Sequence, residues 1–221
     1  MNKITYADVL ANEEIRVYVE RGDAVLGTLG YTDHSAAHTK KVGQQAAELL
    51  TTLGYSESEA ELARIAGYMH DIGNMVNRVD HAQTGALLAF DILTRMGMPP
   101  ADIADVVSAI GNHDENTGTA VSPMSAAIII ADKTDVRRSR VRNTDFATFD
   151  IHDRVNHAVV DNGLTVNALA REILLTLTID TTICSVMDYF EIFLSRMLMC
   201  RRAADMLASV FGLVVNGTRI M

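Results

Sequence analysis

The chain has 221 residues, of which 48% are hydrophobic, and it carries 28 acidic against 19 basic residues. That length and apolar content suffice to bury a core without disulfides or structural metal ions, so we expect one compact domain with at most a small appendage. The formal net charge of -9 argues against a nucleic acid duplex or a membrane as partner, because both attract cationic proteins. A small anionic substrate stays compatible, since local cations or a metal ion can bind it.

The sequence predicts a cytoplasmic protein. Its N-terminal segment lacks the apolar core of a signal peptide, and no apolar run reaches the roughly 18 residues that span a bilayer. Cys184 and Cys200 fall within one predicted helical stretch, where their separation of about 24 Å at 1.5 Å per residue excludes a disulfide between them. Two reduced, packed thiols suit the cytoplasm.

Most of the first two-thirds of the chain has helical periodicity. Apolar residues recur at helical spacing, polar caps or prolines begin the segments, and glycines end them. The predicted helices cover residues 12–29, the stretch from Asp33 as N-cap to Gly54, the stretch from Ser56 to Gly73, residues 81–97, and the stretch from Pro99 to Gly111. The apolar run in "SPMSAAIIIADKTD" fits a buried helix as well as a strand, and the neighbouring helices decide between the two.

The pattern changes after about residue 150. "RVNHAVV" alternates, "DNG" is a hairpin-turn signal, and Thr, Val, Ile and Leu continue the strand pattern beyond it. A long helix over about 182–209 and a last strand in "GLVVNGTRI" complete the chain. We therefore predict a mainly α protein, with a helical metal-binding core over residues 1–145 and a small α+β appendage over residues 146–221 packed on it.

Four polar side chains lie at predicted positions where they must be buried. His38 shares the apolar stripe of its helix, His70 and Asp71 follow the apolar stretch "IAGYM", and Asp132 follows "AAIIIA". A buried carboxylate or imidazole is costly unless each polar atom has a partner. One metal ion shared by the four would satisfy them all, and a set of two His and two Asp favours Fe, Mn, Co, Ni or Zn over Ca or Mg.

The order His38, His70-Asp71, Asp132 resembles the H…HD…D signature of the HD-domain metal-dependent phosphohydrolases. The surrounding residues "HTKKV", "HDIG" and "IADKTD" are similar as well, and the resemblance covers roughly residues 30–140. It implies an all-α core that holds one or two metal ions and acts on phosphate esters, commonly nucleotides.

Two more histidines fall where the binuclear members of this family, including the HD-GYP phosphodiesterases, hold a second ion. They are His81 in "HAQTG" and His113 in "GNHDENTG". The resemblance implies that Asp71 bridges two ions and that both histidines complete the second site. Gly85, one turn after His81, permits a close helix approach in this interpretation. The alternative is that both histidines form a polar rim of the cleft.

Three departures separate the chain from the HD-GYP proteins. Asn74 follows "HDIG" where those proteins have Lys, Asn112 stands beside His113 where they have a His pair, and "DENTGTAVS" lacks the GYP loop. These departures argue against cyclic di-GMP as substrate and leave the metal chemistry unaffected.

Three further residues are candidates for contact with substrate. His34 lies about one helical turn before His38 and is predicted either to bind phosphate, act as an acid or reach a further metal ion, or to face solvent. In the basic run "DKTDVRRSRVR", Lys133 and Arg137 are predicted to grip a phosphate in the cleft. The other cations of the run are assigned to a solvated face or to contacts between subunits of a homo-oligomer.

The sequence therefore predicts metal-dependent hydrolysis of a small phosphorylated substrate, with Asp71 orienting the attacking water as well as binding metal. Two rival functions remain open. One is a non-catalytic nucleotide-sensing or interaction module that keeps the fold, and the other is a di-iron oxygenase built on the same cage of ligands.

Overall fold

A computed structural model describes residues 4–221. The helices are α1 (Tyr6–Ala11), α2 (Glu13–Thr28), α3 (Ala36–Thr52), α4 (Glu57–Met69), α5 (His81–Met96), α6 (Pro100–Gly111), α7 (Pro123–Lys133), α8 (Ile151–Ala158) and α9 (Val186–Met206). The strands are β1 (Val159–Asn167), β2 (Glu172–Ile179), β3 (Val210–Val215) and β4 (Thr218–Arg219). The predicted fold class, a mainly helical bundle with a small C-terminal α+β appendage, is confirmed.

Helix α7 is the central helix of the bundle. Residues 124–131 are all buried, and α7 packs against α3, α4, α6 and α9. The capping box between Ser122 and Ser125 sets its start. An all-round apolar segment forms a helix here because its neighbours cover every face.

Helices α3 and α4 cross at two glycines, Gly43 and Gly67. A Cβ on Gly43 would lie 2.5 Å from the Arg64 carbonyl oxygen, and one on Gly67 would lie 2.6 Å from Gly43 Cα. Only glycines permit backbones to approach so closely. The crossing brings the rings of His38 and His70 to a centroid distance of 5.4 Å.

Two predicted helix boundaries are wrong. The side chain of Ser35, rather than Asp33, caps α3, and α4 ends at Met69, with Gly73 inside the short 3-10 helix Ile72–Met75. Gly73 is required by packing, because a Cβ there would overlap the His81 carbonyl and lie 2.5 Å from Gly85 N. Gly73 therefore allows α5 to pack closely against the segment that contains Asp71.

The appendage is a four-stranded sheet in the order β1-β2-β3-β4. Strands β1 and β2 are antiparallel, and α9 connects β2 to the parallel strand β3. The predicted last strand is two strands, β3 and β4, joined by a hairpin at Asn216 and Gly217, which both have positive φ.

The predicted hairpin turn at "DNG" is also wrong. These residues lie inside β1, and the turn to β2 follows Asn167, whose side chain accepts from the Ala170 N–H. Tertiary contacts override the turn signal, since Asn162 Nδ2 donates to the carbonyl oxygens of Thr134 at 2.6 Å and Val136 at 2.8 Å. The segment "RVNHA" before the strand is part of α8 rather than a strand.

One contiguous apolar core includes side chains from the bundle and from the sheet. Helix α9 contacts both α7 and β3 and so connects the two parts. The division at residue 145 stays a prediction. Within residues 4–221, the helices lack the combination of length and apolar character needed to cross a membrane.

Candidate metal centre

Four buried histidines from four segments of the bundle surround one point. His38 lies in the first turn of α3, His70 follows the last turn of α4, His81 begins α5, and His113 follows α6. Their exposed fractions are 0%, 0%, 2% and 1% respectively. Helix packing therefore assembles a cluster whose members are up to 75 residues apart in sequence (113 minus 38).

Each of these imidazoles is oriented through its Nδ1 atom. His70 donates to Gly67 O at 2.7 Å, His81 to Arg78 O at 3.0 Å, and His113 to Ile110 O at 2.7 Å. A carbonyl oxygen only accepts, so Nδ1 carries the hydrogen and Nε2 of the neutral ring presents a lone pair. In His38, Nδ1 donates to the Asp135 carboxylate at 2.8 Å. All four Nε2 atoms are thus available as metal ligands.

The first ligand group is defined as His38, His70, Asp132 and Oδ2 of Asp71, and it contains two nitrogens without a hydrogen-bond partner among residues 4–221. Nε2 of His38 and of His70 are buried and have no hydrogen-bond partner in the described chain. His38 Nε2 lies 3.3 Å from Asp132 Oδ1, and His70 Nε2 lies 3.2 Å from Asp71 Oδ2. Buried lone pairs beside carboxylates need a cation, and a divalent ion fits this donor set.

The second ligand group is His81, His113 and Oδ1 of Asp71. The Nε2 atoms of the two histidines are 3.2 Å apart, and they lie 3.5 and 3.9 Å from Asp71 Oδ1. Two lone pairs facing each other repel unless a proton or a metal ion lies between them. Because the two oxygens of Asp71 face different groups, the geometry suits a carboxylate that bridges two ions.

The charges of the site favour a cation. Burial alone would lower the pKa of His70, but Asp71 and Asp132 beside it raise that pKa to about 10. Burial opposes ionisation of Asp71 and Asp132, yet His70 beside the first and Lys133 beside the second hold the pKa of each carboxyl well below its usual range. Proton and metal ion therefore compete for the same strongly negative position.

Asp135 is a functional residue that the sequence reasoning missed. Its buried carboxylate accepts from His38 Nδ1, from Lys41 Nζ at 2.6 Å and from Arg137 Nε at 2.9 Å. Burial would raise the pKa of Asp135, but His38, Arg140 and Lys41 hold it far below its usual value. The sequence did offer one signal for it, because Asp135 follows Asp132 by three residues at the end of the same buried apolar segment.

The structure does not bring Lys133 and Arg137 to the cleft as phosphate ligands. Lys133 is buried, and its Nζ pairs with Asp132 Oδ2 at 2.8 Å and Glu115 Oε2 at 2.7 Å. Arg137 pairs with Asp135 and does not line the cleft. Both cations are paired with carboxylates of the bundle. Helical spacing alone does not predict these partners.

His34 is in the cleft, although it precedes α3 and is not one of its residues. Its Nδ1 donates to Thr32 O at 2.6 Å, and its ring lies 5.5 Å from the ring of His38. Burial and the nearby Arg140 lower the pKa of His34 well below its usual range. The neutral ring offers Nε2 as an acceptor at the cleft.

Asn74 and Arg78 form one unit next to Asp71. The amide of Asn74 donates to Asp71 Oδ1 at 2.8 Å, and its oxygen accepts from Arg78 Nη1 at 3.2 Å. Arg78 Nη1 also lies 3.8 Å from Asp71 Oδ1 and 3.3 Å from His81 Nε2. The residue after "HDIG" thus carries no charge itself, but it positions a guanidinium beside the second ligand group.

The ligand groups open on a cleft of about 340 Å³. Asp71, Asp132 and His34 are among its lining residues, together with Arg78 and Arg140. A cleft of this volume suits a small molecule. Two guanidinium groups beside metal-ligating side chains suit an anionic one.

The chain is similar to one protein family and to two known proteins. The HD domain family profile matches residues 36–140. The uncharacterized protein MJ1020 of Methanocaldococcus jannaschii is 26% identical, over 63% of this chain and 62% of its own length. A crystal structure described as a predicted HD superfamily hydrolase, from an uncultured Thermotogales bacterium, has 24% identity and a TM-score of 0.45, covering 61% of this chain and 75% of that one.

The matched segment contains all six side chains of the two ligand groups in the order H…HD…D, with His81 and His113 between the HD pair and the last Asp. HD domains bind divalent metal ions, and the described residues provide three overlapping sets of His and Asp atoms within 4.8 Å of one another that suit an ion. Residues 36–140, just under half of the chain, therefore match the HD domain family and contain its ligand residues in order.

Proposed function

We propose that the protein is a metal-dependent phosphohydrolase that cleaves a phosphomonoester or phosphodiester of a small molecule, with nucleotides as the first class to test. The observation that carries the proposal is the pair of ligand groups joined through Asp71, which open on a cleft lined by arginines. A buried set of four histidines and two carboxylates at a substrate-sized cleft is the arrangement that two-metal hydrolysis uses.

One or two divalent transition-metal ions, when bound, lower the pKa of water and offset charge on the phosphoryl oxygens. The chain supplies the geometry. The Nδ1 anchors of His38, His70, His81 and His113 keep each Nε2 directed at the centre. Lys133 neutralises Oδ2 of Asp132 and leaves Oδ1 for a metal ion, so its role is to position a ligand.

Two residues of the chain act on water and substrate in this proposal. Asp71 holds both ligand groups together, and through this position it orients the attacking water. His34 accepts a hydrogen bond at Nε2 from water or substrate, because its Nδ1 is committed to Thr32 O.

The test is a screen of purified protein for phosphate release. The protein is prepared anaerobically, its metal content is measured, and it is loaded in turn with Mn²⁺, Fe²⁺, Co²⁺, Ni²⁺ and Zn²⁺ before exposure to nucleotides and sugar phosphates. We expect release with at least one pair of ion and substrate. Asp71→Ala should abolish release and metal binding together, while Asp105→Ala on the exposed face of α6 should retain both.

Three outcomes would contradict the proposal. Asp71→Ala with full metal content and full hydrolysis would remove the assigned role of the bridging carboxylate. Nucleotide binding without turnover for every ion would favour a sensing module. Consumption of a substrate that depends on O₂ and releases no phosphate would favour an oxygenase.

A further inference from the structure

The cleft beside the ligand groups is built largely by residues outside the HD domain. Only Asp71, Arg78, Asp132 and Arg140, four of the fourteen lining residues, belong to residues 36–140. The others come from the segment before α3 and from the C-terminal segment, where α8 contributes His152 and Asn156, and α9 contributes Phe193 and Arg196. The C-terminal segment therefore forms a wall of the substrate cleft.

Arg196 is held in this wall by two neighbours. Its Nε donates to Glu115 Oε1 at 2.9 Å, and its guanidinium carbon lies 4.7 Å from the ring centroid of the buried Phe193. Glu115 is fixed in turn by its ion pair with Lys133, which also pairs with Asp132. A chain of charges thus fixes the guanidinium relative to the first ligand group.

The remaining donors of Arg196 are uncommitted. Among residues 4–221, neither of its Nη atoms makes a hydrogen bond, and a quarter of the side chain is exposed. Arg140 lines the same cleft. Its Nε and Nη1 donate to the carbonyl oxygens of Asp33 and Asp135, and its Nη2 has no bond within the described chain.

Three guanidinium groups, those of Arg78, Arg140 and Arg196, thus line one cleft in a protein of net charge -9. Each guanidinium lies beside one carboxylate, Arg78 beside Asp71, Arg140 beside Asp135 and Arg196 beside Glu115. The Nη atoms of Arg196 and Nη2 of Arg140 nevertheless make no hydrogen bond within the described residues. The cleft has more cationic donors than one phosphate at the metal centre would use.

We propose that Arg196, with Arg140 beside it, binds a second phosphate group of the substrate, distinct from the phosphate that is cleaved. This inference rests on the proposed function and narrows it to bisphosphorylated or diphosphate substrates. A planar guanidinium with both Nη atoms available binds phosphate through two hydrogen bonds. The specificity for substrate then resides in the C-terminal segment, while the HD domain supplies the chemistry.

The test compares AMP with ADP and with adenosine 3′,5′-bisphosphate. Each of the latter two has one phosphate more than AMP, attached to the 5′-phosphate in ADP and to the 3′-hydroxyl in the bisphosphate. Binding is measured by calorimetry on the wild-type protein, Arg196→Ala, Arg196→Lys and the matched control Arg201→Ala, which changes an exposed arginine of the same helix. Unfolding temperature and metal content are measured for each variant, to establish that each is folded.

We expect at least one of the two bisphosphorylated compounds to bind about tenfold more tightly than AMP, the usual scale of a bidentate charged contact. Arg196→Ala should abolish this difference, Arg196→Lys should retain part of it because a lone ammonium lacks the fork, and Arg201→Ala should retain all of it. The proposal is overturned if neither compound binds better than AMP, or if the difference survives in Arg196→Ala. Should Arg196→Ala not fold, the same comparison rests on Arg196→Lys, where an unchanged difference overturns the proposal.

Phosphate release is assayed separately, so that the two proposals fail in different ways. If binding of the second phosphate depends on Arg196 but no compound releases phosphate, the proposed subsite is supported and the proposed hydrolase activity is contradicted. If the wild type and Arg196→Ala release phosphate from several substrates with equal efficiency, the hydrolase activity is supported and the proposed subsite is contradicted.

Discussion

The two ligand groups share Asp71 but differ in how the chain supports them. The first group has two carboxylates and two histidines, and one of those histidines is backed by the buried carboxylate of Asp135. The second has one oxygen of Asp71 and two histidines backed only by carbonyl oxygens, with the guanidinium of Arg78 alongside. Although Lys133 pairs with one oxygen of Asp132, we expect the first group to be the stronger site, because it has a second carboxylate and a charged partner behind His38.

The largest effect is expected from removing one histidine of each group. His38→Ala should weaken binding of the first ion by more than about a hundredfold, since loss of an outer partner alone costs about 10- to 100-fold. His81→Ala should remove only the second ion. Elemental analysis and titration with Mn²⁺ would measure the stoichiometry of each variant. Loss of both ions in His81→Ala, or of neither in His38→Ala, would refute the ranking of the two groups.

The next effect tests the support behind the first group. Asp135→Asn keeps the shape of the side chain but loses the charge that fixes His38 Nδ1, so the first ion should bind about 10- to 100-fold more weakly. The second ion should bind nearly as before, because Asp135 does not contact its group. Competition with a chelator would measure both affinities. Equal weakening of both sites would show that Asp135 acts on the fold rather than on His38.

A smaller effect is expected from disturbing the backbone packing that supports the second ligand group. Gly73→Ala would force the backbone of His81 away, so we expect a loss of about 1–3 kcal/mol in the free energy of unfolding, together with weaker binding of the second ion. Gly85→Ala is the matched control, because its Cβ would lie 3.2 Å from Gly73 N, a contact that a small shift relieves. Chemical denaturation and metal titration measure the two quantities, and equal behaviour of both variants would contradict this account.

The smallest effect concerns Arg78. A positive charge within about 4 Å of the second group costs about 1 kcal/mol for each unit of charge on a bound cation when water screens it, so Arg78→Ala should bind the second ion at least about fivefold more tightly. Arg21→Ala, an exposed arginine of α2, controls for the change in net charge. Unchanged or weaker binding of the second ion in Arg78→Ala would show that the guanidinium supports this site instead of opposing it.

Much of the site could be predicted from the sequence, because burial made its polar residues conspicuous. The sequence suggested no other partner for His38 on its apolar stripe or for Asp132 after "AAIIIA". The structure places both in the first ligand group. Lys133 and Arg137 were predicted in the cleft from helical spacing alone, and spacing does not tell which carboxylate a cation meets. Glu115 became a neighbour of Lys133 only through packing, whereas Asp135 stands just two residues before its partner Arg137.

The appendage could be predicted only in outline. Its composition of Thr, Val, Ile and Leu indicated strands, but the "DNG" turn signal was overridden by the hydrogen bonds of Asn162 to the end of α7. Turn propensity is a local preference of small magnitude, and two hydrogen bonds to carbonyls of the bundle exceed it. The placement of Arg196 in the cleft had no signal in the sequence.

By itself the sequence determined the fold class and the resemblance to HD domains, because apolar periodicity and the order of His and Asp residues are properties of the chain. Only the tertiary structure decided which atoms meet. The two oxygens of Asp71 face different groups, Asn74 positions Arg78 beside the second group, and α9 lines the cleft. These relations join residues far apart in sequence, and the packing of helices through glycines such as Gly43 and Gly73 sets the distances between them.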